Sequence, residues 1–464
     1  MDLKGTVNDV VNLVSKRAAV LLFFSLLFVV GLLAFVARYF NNASLWVQHP
    51  ANKHLYENGK LLSQGTIYDR RGSILAQIND GSITFNEDQM VRTALMHTTG
   101  DIENNVGTGA LVAFGDRLSG WNIIDGVYRF NKSPAPGDDL VLTLDADLCT
   151  MAYRELSPYK GAVGVYNYKT GEILCMASTP SFDPQNPPAV EAGPEKYEGI
   201  YINNLLSARY TPGSIFKLVT TAAALDSLDN VENRTYPCAG ELQVGGDRVT
   251  CMASHGEVTL EQALAHSCNC AFARITLDLG AEKLQEYADL AGFNSGLEID
   301  GIKTVAGRVD LAEAEGVDLA WAGIGQYTNT ANPLNFMAFM GAIANDGVRV
   351  TPEIIRDEGL SSFIKTTQKK RILSPQTAKK LKQMMRNNTV SVYGEENFKG
   401  LELCAKSGTA QVGGGKKPHA WFAGFLDRRD FPLAFVVVIE NGGSGGKIAA
   451  PVAATVLQQA VDSP

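Results

Sequence analysis

The chain has 464 residues, 45% of them hydrophobic, and a formal net charge of -8. That length implies two or three domains with large apolar cores, and an acidic balance without a basic cluster interleaved with aromatics excludes nucleic acid as the partner class. Seven cysteines are an odd count, so complete disulfide pairing within one chain is excluded as well.

The first element is Ala18 through Ala37, a 20-residue apolar run without a charge, long enough to span a bilayer. Lys4, Lys16 and Arg17 precede it, which places residues 1–17 on the cytoplasmic side by the positive-inside rule, although Arg38 follows closely. The run is long for the apolar core of a cleaved signal peptide, and no convincing small-residue cleavage pattern follows, so retention as a single anchor over 18–37 is expected. Residues 38–140 have mixed strand and loop character and end in Asn131 to Asp139, which reads as a linker. From 141 onward a second domain begins. Gly161–Tyr166 and Glu172–Ala177 read as two strands, with Lys169-Thr170-Gly171 at an exposed hairpin tip.

The next segment carries chemistry. Thr211-Pro212-Gly213 is a helix-start signal, and Ser214 opens an apolar run to Leu225 that predicts a buried helix with Ser214 in its first turn and Lys217 on the same face. A serine hydroxyl needs a base within hydrogen-bond reach, and a lysine three residues on can supply it if its amine is neutral. The spacing alone is weak evidence, because Ser157 to Lys160, Ser362 to Lys365 and Ser444 to Lys447 repeat it. Pro158, the charged stretch Lys369 to Arg371 and the glycines around Ser444 mark those three as turns or solvated faces.

Ser267-Cys268-Asn269 follows the helical stretch Thr259–His266; read alone, it is a cap or a polar turn. Lys406-Ser407-Gly408-Thr409 continues the strand-like Leu401–Ala405, where Gly408 is expected to let a substrate backbone approach closely. Lys406 is a second cation that would depress the Lys217 pKa. Trp421–Phe425 and Leu433–Ile439 are continuous apolar runs, as central strands covered on both faces require. The intervening Gly413–His419 loop is either a gate or an ordinary hairpin tip. Cys238 and Cys251 flank a hairpin-like segment, so a bridge between them depends on register. A metal site among Cys238, Cys251, His255, His266, Cys268 and Cys270 is not expected: there is no Cys-x-x-Cys pair, and on one helix Cys268 and Cys270 would point to nearly opposite faces.

Taken together, the chain resembles the penicillin-recognising serine acyltransferases, and among them the class B penicillin-binding proteins. Matching stretches include Gly65–Ala76, Leu142–Asp145, Met176–Pro184, Tyr210–Ser214, Gly323–Gln326 and Ala342–Gly347, besides the three motifs. The resemblance implies an α/β (α+β) fold: one N-terminal transmembrane helix, a small β-rich pedestal over 38–140 used for dimerisation or partner contact, and a penicillin-binding, serine β-lactamase-like transpeptidase domain over 141–464. There an antiparallel sheet is flanked by helices, and the site lies between it and a mainly helical subdomain. The implied function is a peptidoglycan D,D-transpeptidase that cross-links stem peptides ending in D-Ala-D-Ala, needs no cofactor or metal, and is acylated by β-lactam antibiotics.

Residue by residue, the resemblance makes Ser214 the nucleophile, Lys217 its base, Ser267 a proton relay and Asn269 the holder of substrate amide and lysine. Lys406 and Thr409 bind the terminal carboxylate with Ser407 assisting, Gly408 lines the substrate strand, and the backbone N–H groups of Ser214 and Thr409 form the oxyanion hole. Too little chain lies between anchor and Ser214 for a glycosyltransferase domain beside the pedestal, so a polytopic membrane glycosyltransferase is the expected partner. Three readings compete. A serine β-lactamase of class A lacks support because no Glu-x-x-Leu-Asn segment is present. A D,D-carboxypeptidase would share every motif residue and use water as acceptor. A non-catalytic β-lactam sensor or scaffold has no reason to keep Ser214, Lys217 and Lys406.

Overall fold

The computed structural model describes residues 3–47, 56–57, 60–61, 64–79, 82–120, 137–190, 195, 197–356 and 367–463. Ser362, Lys365 and linker residues 131–136 therefore lie outside the described residues. The chain divides into two compact units: Met1–Gly65 with Ile78–Ser82 and Gly115–Asp138, and Thr66–Gln77 with Ile83–Phe114 and Asp139–Pro464.

The first unit is dominated by helix α1 (Leu3–Val47), which extends well beyond the expected apolar run at both ends. Within it Val10–Tyr39, with a mean hydropathy of 3.0, is long and apolar enough to cross a membrane, and none of its most apolar stretch is buried by the protein itself. Nearer the chain's first sheet, the Gly65 N–H donates to Leu118 O at 2.8 Å and the Asp138 N–H to Arg117 O at 3.0 Å. The segment between anchor and residue 140 contains short helices as well as strands, at Gln89–Ala94, Met96–Thr99, Ala110–Ala113 and Gly115–Leu118.

The second unit draws part of that segment into the fold of the larger domain. Strand β1 (Ile67–Tyr68) pairs antiparallel with β2 (Ile74–Asn79) through Ile67 and Ala76, and parallel with β3 (Leu140–Val141) through Ile67 and Leu140. The turn between β1 and β2 is built on Asp69, whose Oδ1 accepts the N–H groups of Arg71 (2.9 Å) and Ser73 (2.8 Å). Its Oδ2 accepts the Ala146 N–H at 3.2 Å, at the start of α2 (Ala146–Leu156), which Asp145 caps through the Leu148 N–H at 3.0 Å. Two of the sequence matches, around Asp69 and at Asp145, are thus one capping arrangement; an aspartate at a helix N-terminus satisfies amides that the helix leaves open.

The main sheet has five antiparallel strands: β4 (Lys160–Asn167), β5 (Ile173–Thr179), then β10 (Leu403–Ala410), β11 (His419–Leu426) and β12 (Leu433–Glu440), in spatial order β10-β11-β12-β4-β5. The labels β6 to β9 belong to Thr235–Cys238, Glu241–Val244, Asp247–Thr250 and Gly256–Thr259, which form two small two-stranded sheets. Every residue of β11 is buried, as its unbroken apolar run requires of a strand covered on both faces. The helices in chain order are α3 (Lys217–Ser227), α4 (Leu260–Ala265), α5 (Asn269–Leu290), α6 (Gly316–Ala322), α7 (Pro333–Ala344), α8 (Pro375–Asn388) and α9 (Ala450–Asp462). Helix α7 packs on β12 and β11, α2 packs on β5 with α9 against it, and α3 packs on α5. All twelve residues of α7 are buried, and its start is fixed by Pro333 at the first turn and by Asn332, whose side chain accepts the Asn335 N–H.

Arg92, on the Gln89–Ala94 helix, meets Asp183 beyond β5 in a two-pronged pair, Nε to Oδ1 at 2.6 Å and Nη2 to Oδ2 at 2.8 Å. Both side chains are nearly enclosed, 11% and 7% exposed. The Arg92 hydrogen bond, opposed by burial, holds the Asp183 carboxyl down at about 2. A carboxylate depressed in this way stabilises the fold above its unfolded value near 4, and the contribution disappears as pH falls through about 2. Asp183→Asn leaves Arg92 buried without its counter-charge and is expected to cost about 3 kcal/mol at pH 7. Denaturant unfolding should show that loss at pH 7 and a much smaller difference from wild type at pH 2.

Candidate active site

The serine motif lies on a short 3-10 turn, Gly213–Phe216, that runs directly into α3. Two contacts fix the turn: the Gly213 N–H donates to Gly325 O at 2.8 Å, and the Trp421 indole N–H on β11 donates to Thr211 O at 2.9 Å. Gly325 has φ +83, and a Cβ there would stand 2.1 Å from Gly213 O. No other residue fits that position without moving the serine turn. Here lies the physical content of the Gly323–Gln326 match.

Lys217 is fully buried, as are the seven residues that follow it on α3. Its Nζ lies 3.2 Å from Ser214 Oγ, 3.1 Å from Ser267 Oγ, 2.6 Å from Ser267 O and 2.7 Å from Asn269 Oδ1. The Asn269 amide is oriented by its Nδ2, which donates to Thr250 O at 2.8 Å. Ser267 O and Asn269 Oδ1 can only accept, so they take two amine hydrogens. What remains of the nitrogen faces the two serine hydroxyls, where a neutral amine presents its lone pair. Burial pushes the Lys217 pKa down to about 7, opposed by negative charge at the Cys251, Cys268 and Cys270 sulfurs.

Lys406 is also fully buried, with Nζ 3.2 Å from Ser267 Oγ and 2.9 Å from Ser407 O. Burial, and then the charge of Lys217, push its pKa well below the ordinary value. The Ser267 hydroxyl therefore sits between two amines and is within hydrogen-bond distance of both. It reaches that place through a left-handed backbone, φ +55, between the end of α4 and Cys268, which caps α5 through the Ala271 N–H. A non-glycine residue in that region costs on the order of 1–2 kcal/mol, and here it turns both the carbonyl and the hydroxyl of Ser267 toward Lys217.

Strand β10 is the outer strand of the sheet, and side chains cover its open edge in order. Arg386 Nη1 donates to Leu403 O at 3.3 Å, Asn388 Nδ2 donates to Ala405 O at 3.1 Å, and the Ser407 N–H donates to Tyr393 OH at 2.8 Å. In an antiparallel strand alternate residues turn their backbone groups to the same side, so the Thr409 N–H is the next on that edge. Thr409 lies on the wall of a cleft of about 340 Å³, which Ser214, Ser267, Asn269, Ser407 and Gln326 also line. The serine turn runs close by: a Cβ on Gly213 would stand 2.9 Å from Ala410 Cα and from Thr409 O. At Gly408 the space a Cβ would occupy is taken by Pro212 O at 2.9 Å and Ile215 at 3.0 Å. Its lack of a side chain admits the protein's own serine turn.

All eight residues expected at the site, Ser214, Lys217, Ser267, Asn269, Lys406, Ser407, Gly408 and Thr409, converge here, whereas none of the decoy motifs among the described residues brings both its serine or threonine and its lysine to it. Lys169 is exposed at the β4–β5 hairpin tip, where it reaches Asn345 Oδ1 at 2.7 Å. Ser157 is exposed at the end of α2, and Lys160 pairs with Glu440 at 3.3 Å. Ser444 borders the cleft, but Lys447 is exposed. Sequence reasoning missed Tyr393, which also donates to Ser407 Oγ at 3.0 Å, because nothing in its local pattern points to β10. Four of the six residues for which no metal site is expected from the sequence stand together. Cys238, Cys251, His255 and Cys268 bring their ligand atoms within 4.8 Å of one another, and Cys270 stands outside that group. Cys238 ends β6, Cys251 and His255 lie between β8 and β9, and Cys268 caps α5, at spacings that form no local motif. The Asn269 N–H donates to Cys251 Sγ at 3.2 Å.

Residues 161–458 match the family model described as the penicillin binding protein transpeptidase domain. The peptidoglycan D,D-transpeptidase PbpA of Mycolicibacterium smegmatis is 29% identical over 328 residues, 64% of this chain and 66% of that protein. Stage V sporulation protein D of Bacillus subtilis is 31% identical over 359 residues, 71% of this chain and 54% of that protein. The matched regions thus span about two thirds or less of these relatives' own length. Penicillin-binding protein A from M. tuberculosis, solved as a ceftriaxone acyl-enzyme complex, superposes with a TM-score of 0.74 at 25% identity over 86% of this chain and 98% of that one. The matched region holds the serine turn, the strained Ser267 and the edge strand that carries Lys406, and by that match the chain belongs to the penicillin-binding protein transpeptidase family.

Proposed function

We propose that the chain is a class B, monofunctional peptidoglycan D,D-transpeptidase. The observation that carries this reading is the neutral-amine geometry at Lys217, with Ser214 Oγ at 3.2 Å on its free side. Ser214 Oγ attacks the carbonyl carbon of the penultimate D-alanine, and its proton passes to Lys217. The tetrahedral oxyanion is held by the N–H groups of Ser214 and Thr409, fixed dipoles that meet charge developing only in the transition state. The C–N bond to the terminal D-alanine breaks, and Ser267, between the two lysines, relays the proton to the leaving amine. The amine of a second stem peptide then attacks the ester and restores Ser214. Lys406, Ser407 and Thr409 receive the terminal carboxylate, and Asn269 holds both the lysine and the substrate amide. A β-lactam would enter as a mimic of that peptide and remain as an ester on Ser214.

The N-terminal apolar helix serves as a membrane anchor in this reading, with residues 1–17 cytoplasmic and the catalytic domain outside. Residues 38–140 act as a pedestal for partner contact, although 66–77 and 83–114 fold within the larger unit. A polytopic membrane glycosyltransferase is the proposed partner.

Labelled penicillin should acylate the purified full-length chain once, and Ser214→Ala should abolish labelling; equal labelling of that variant would sink the assignment. With synthetic stem peptides, the ester should partition to a cross-linked product when an amine acceptor is supplied, whereas hydrolysis alone under both conditions would mark a carboxypeptidase.

The base must be neutral, so the acylation rate should rise with pH through an inflection near the Lys217 value of about 7 and level off above it. A stopped-flow profile that is flat from pH 5 to 9 would contradict the assignment of Lys217. Tyr393→Phe removes the acceptor of the Ser407 N–H on the edge of β10, worth about 1–3 kcal/mol. Acylation by a fluorescent penicillin is expected to slow about tenfold while Ser214 remains the labelled residue.

A further inference from the structure

The geometry points to a tetrahedral metal site, for Zn²⁺, formed by Cys238, Cys251, His255 and Cys268. Its donor set is three thiols and an imidazole, the combination that binds zinc in closed structural sites. Three of the six edges are close to that geometry, and all six lie within 4.8 Å. Tetrahedral zinc, with Zn–S about 2.3 Å and Zn–N about 2.0 Å, sets S···S edges of about 3.8 Å and S···N edges of about 3.5 Å. His255 Nδ1 lies 3.5 Å from both Cys238 Sγ and Cys251 Sγ, and Cys251 Sγ lies 4.0 Å from Cys268 Sγ. The sulfurs are not joined: all seven cysteines are free thiols.

The surroundings support a bound ion. Cys238 and Cys268 are buried and Cys251 and His255 half-buried, and backbone N–H groups of Asn269 and Ala271 point at Cys251 and Cys268 at 3.2 and 3.5 Å. Such N–H···S contacts orient thiolate ligands. Strands β6 to β9 are four residues each and pair only two by two, too little sheet to stand alone; a metal joining the end of β6, the end of β8, the approach to β9 and the start of α5 would tie them to the domain. Binding displaces one proton from each thiol and leaves His255 neutral, so the occupied site carries one net negative charge.

The ion would also reach the proposed catalytic residues, since Cys268 separates Ser267 from Asn269 and Cys251 accepts the Asn269 N–H. Its role toward the reaction is positioning. The proposal itself does not depend on the transpeptidase reading, because its first readout is metal content.

Full-length protein, purified in detergent without added metal and measured by elemental mass spectrometry, should contain about one zinc per chain. Cys238→Ser/His255→Ala should contain less than a tenth of that, with two ligands removed so that nearby Cys270 cannot complete the set, while Cys175→Ser, in the main sheet, should keep it. If the double variant does not fold, wild type decides. After chelation under reducing conditions it should take up Co²⁺ with the intense visible bands of a tetrahedral thiolate site, and penicillin acylation, slowed at least tenfold in the stripped protein, should recover when Zn²⁺ is returned. Absence of zinc together with a Co²⁺ spectrum typical of an octahedral ion, or a Cys251–Cys268 disulfide that takes up no metal after reduction, overturns the proposal.

Discussion

The rest of the site depends on the burial of two lysines that share one hydroxyl. Lys217 and Lys406 are both fully enclosed, and among the described residues neither is paired with a carboxylate. An isolated ammonium in such a place is so costly that the group gives up its proton instead. Two of them, each within 3.2 Å of Ser267 Oγ, strengthen that pressure, since charge on one opposes charge on the other. The amine beside Ser214 is therefore available as a base without any carboxylate or imidazole, because burial lowers its pKa and frees its lone pair near neutral pH.

That arrangement makes demands on the scaffold. Lys217 must sit on a helix buried over its first two turns, and α3 is enclosed there by α5 and α8. Lys406 must come from a strand whose open edge is nonetheless occupied, and Arg386, Asn388 and Tyr393 occupy it as far as Ser407. Beyond that point the edge belongs to the cleft. Gly325 and Gly408 then allow the serine turn to lie against its neighbours at distances that a side chain would prevent. The catalytic geometry is thus imposed by backbone packing around the turn more than by hydrogen bonds to Ser214 itself.

How much of this the sequence disclosed follows from the range of each signal. The helix at Ser214, the β4–β5 hairpin and the strands at Leu403, His419 and Leu433 were legible because apolar runs and turn residues are local. The choice of Ser214 among four Ser-x-x-Lys spacings was legible for the same reason, since burial of the following helix can be read from its composition. The left-handed Ser267 was not, because serine carries no preference for that conformation; only the end of α4 meeting the start of α5 imposes it. Tyr393 and Asn388 escaped because their partners lie on β10, 14 and 17 residues away in sequence, and no periodicity links a helix end to a strand edge. At Gly408 the space a side chain would take is filled by the serine turn. A missing side chain can be read from sequence, but what fills its place cannot.

The second motif shows where the precision of the site is hardest to secure. Ser214 is anchored in α3 and Lys406 in a five-stranded sheet, whereas Ser267 and Asn269 stand at a junction between helices and are adjusted by the β6–β9 segment. Asn269 takes its orientation from Thr250 O at 2.8 Å and its backbone position from Cys251 Sγ at 3.2 Å. A shift of that segment would move Asn269 Oδ1 away from the lysine and release an amine hydrogen toward Ser214, where the lone pair is needed. Four-residue strands cannot resist such a shift by sheet hydrogen bonding alone. The buried residues they offer, Tyr236, Leu242, Val249 and Val258, form a small apolar contribution beside the core around α7. Rigidity at the base must therefore come from something other than bulk burial, and the convergence of three thiols and an imidazole beside Asn269 is the feature of this segment with the chemistry to provide it.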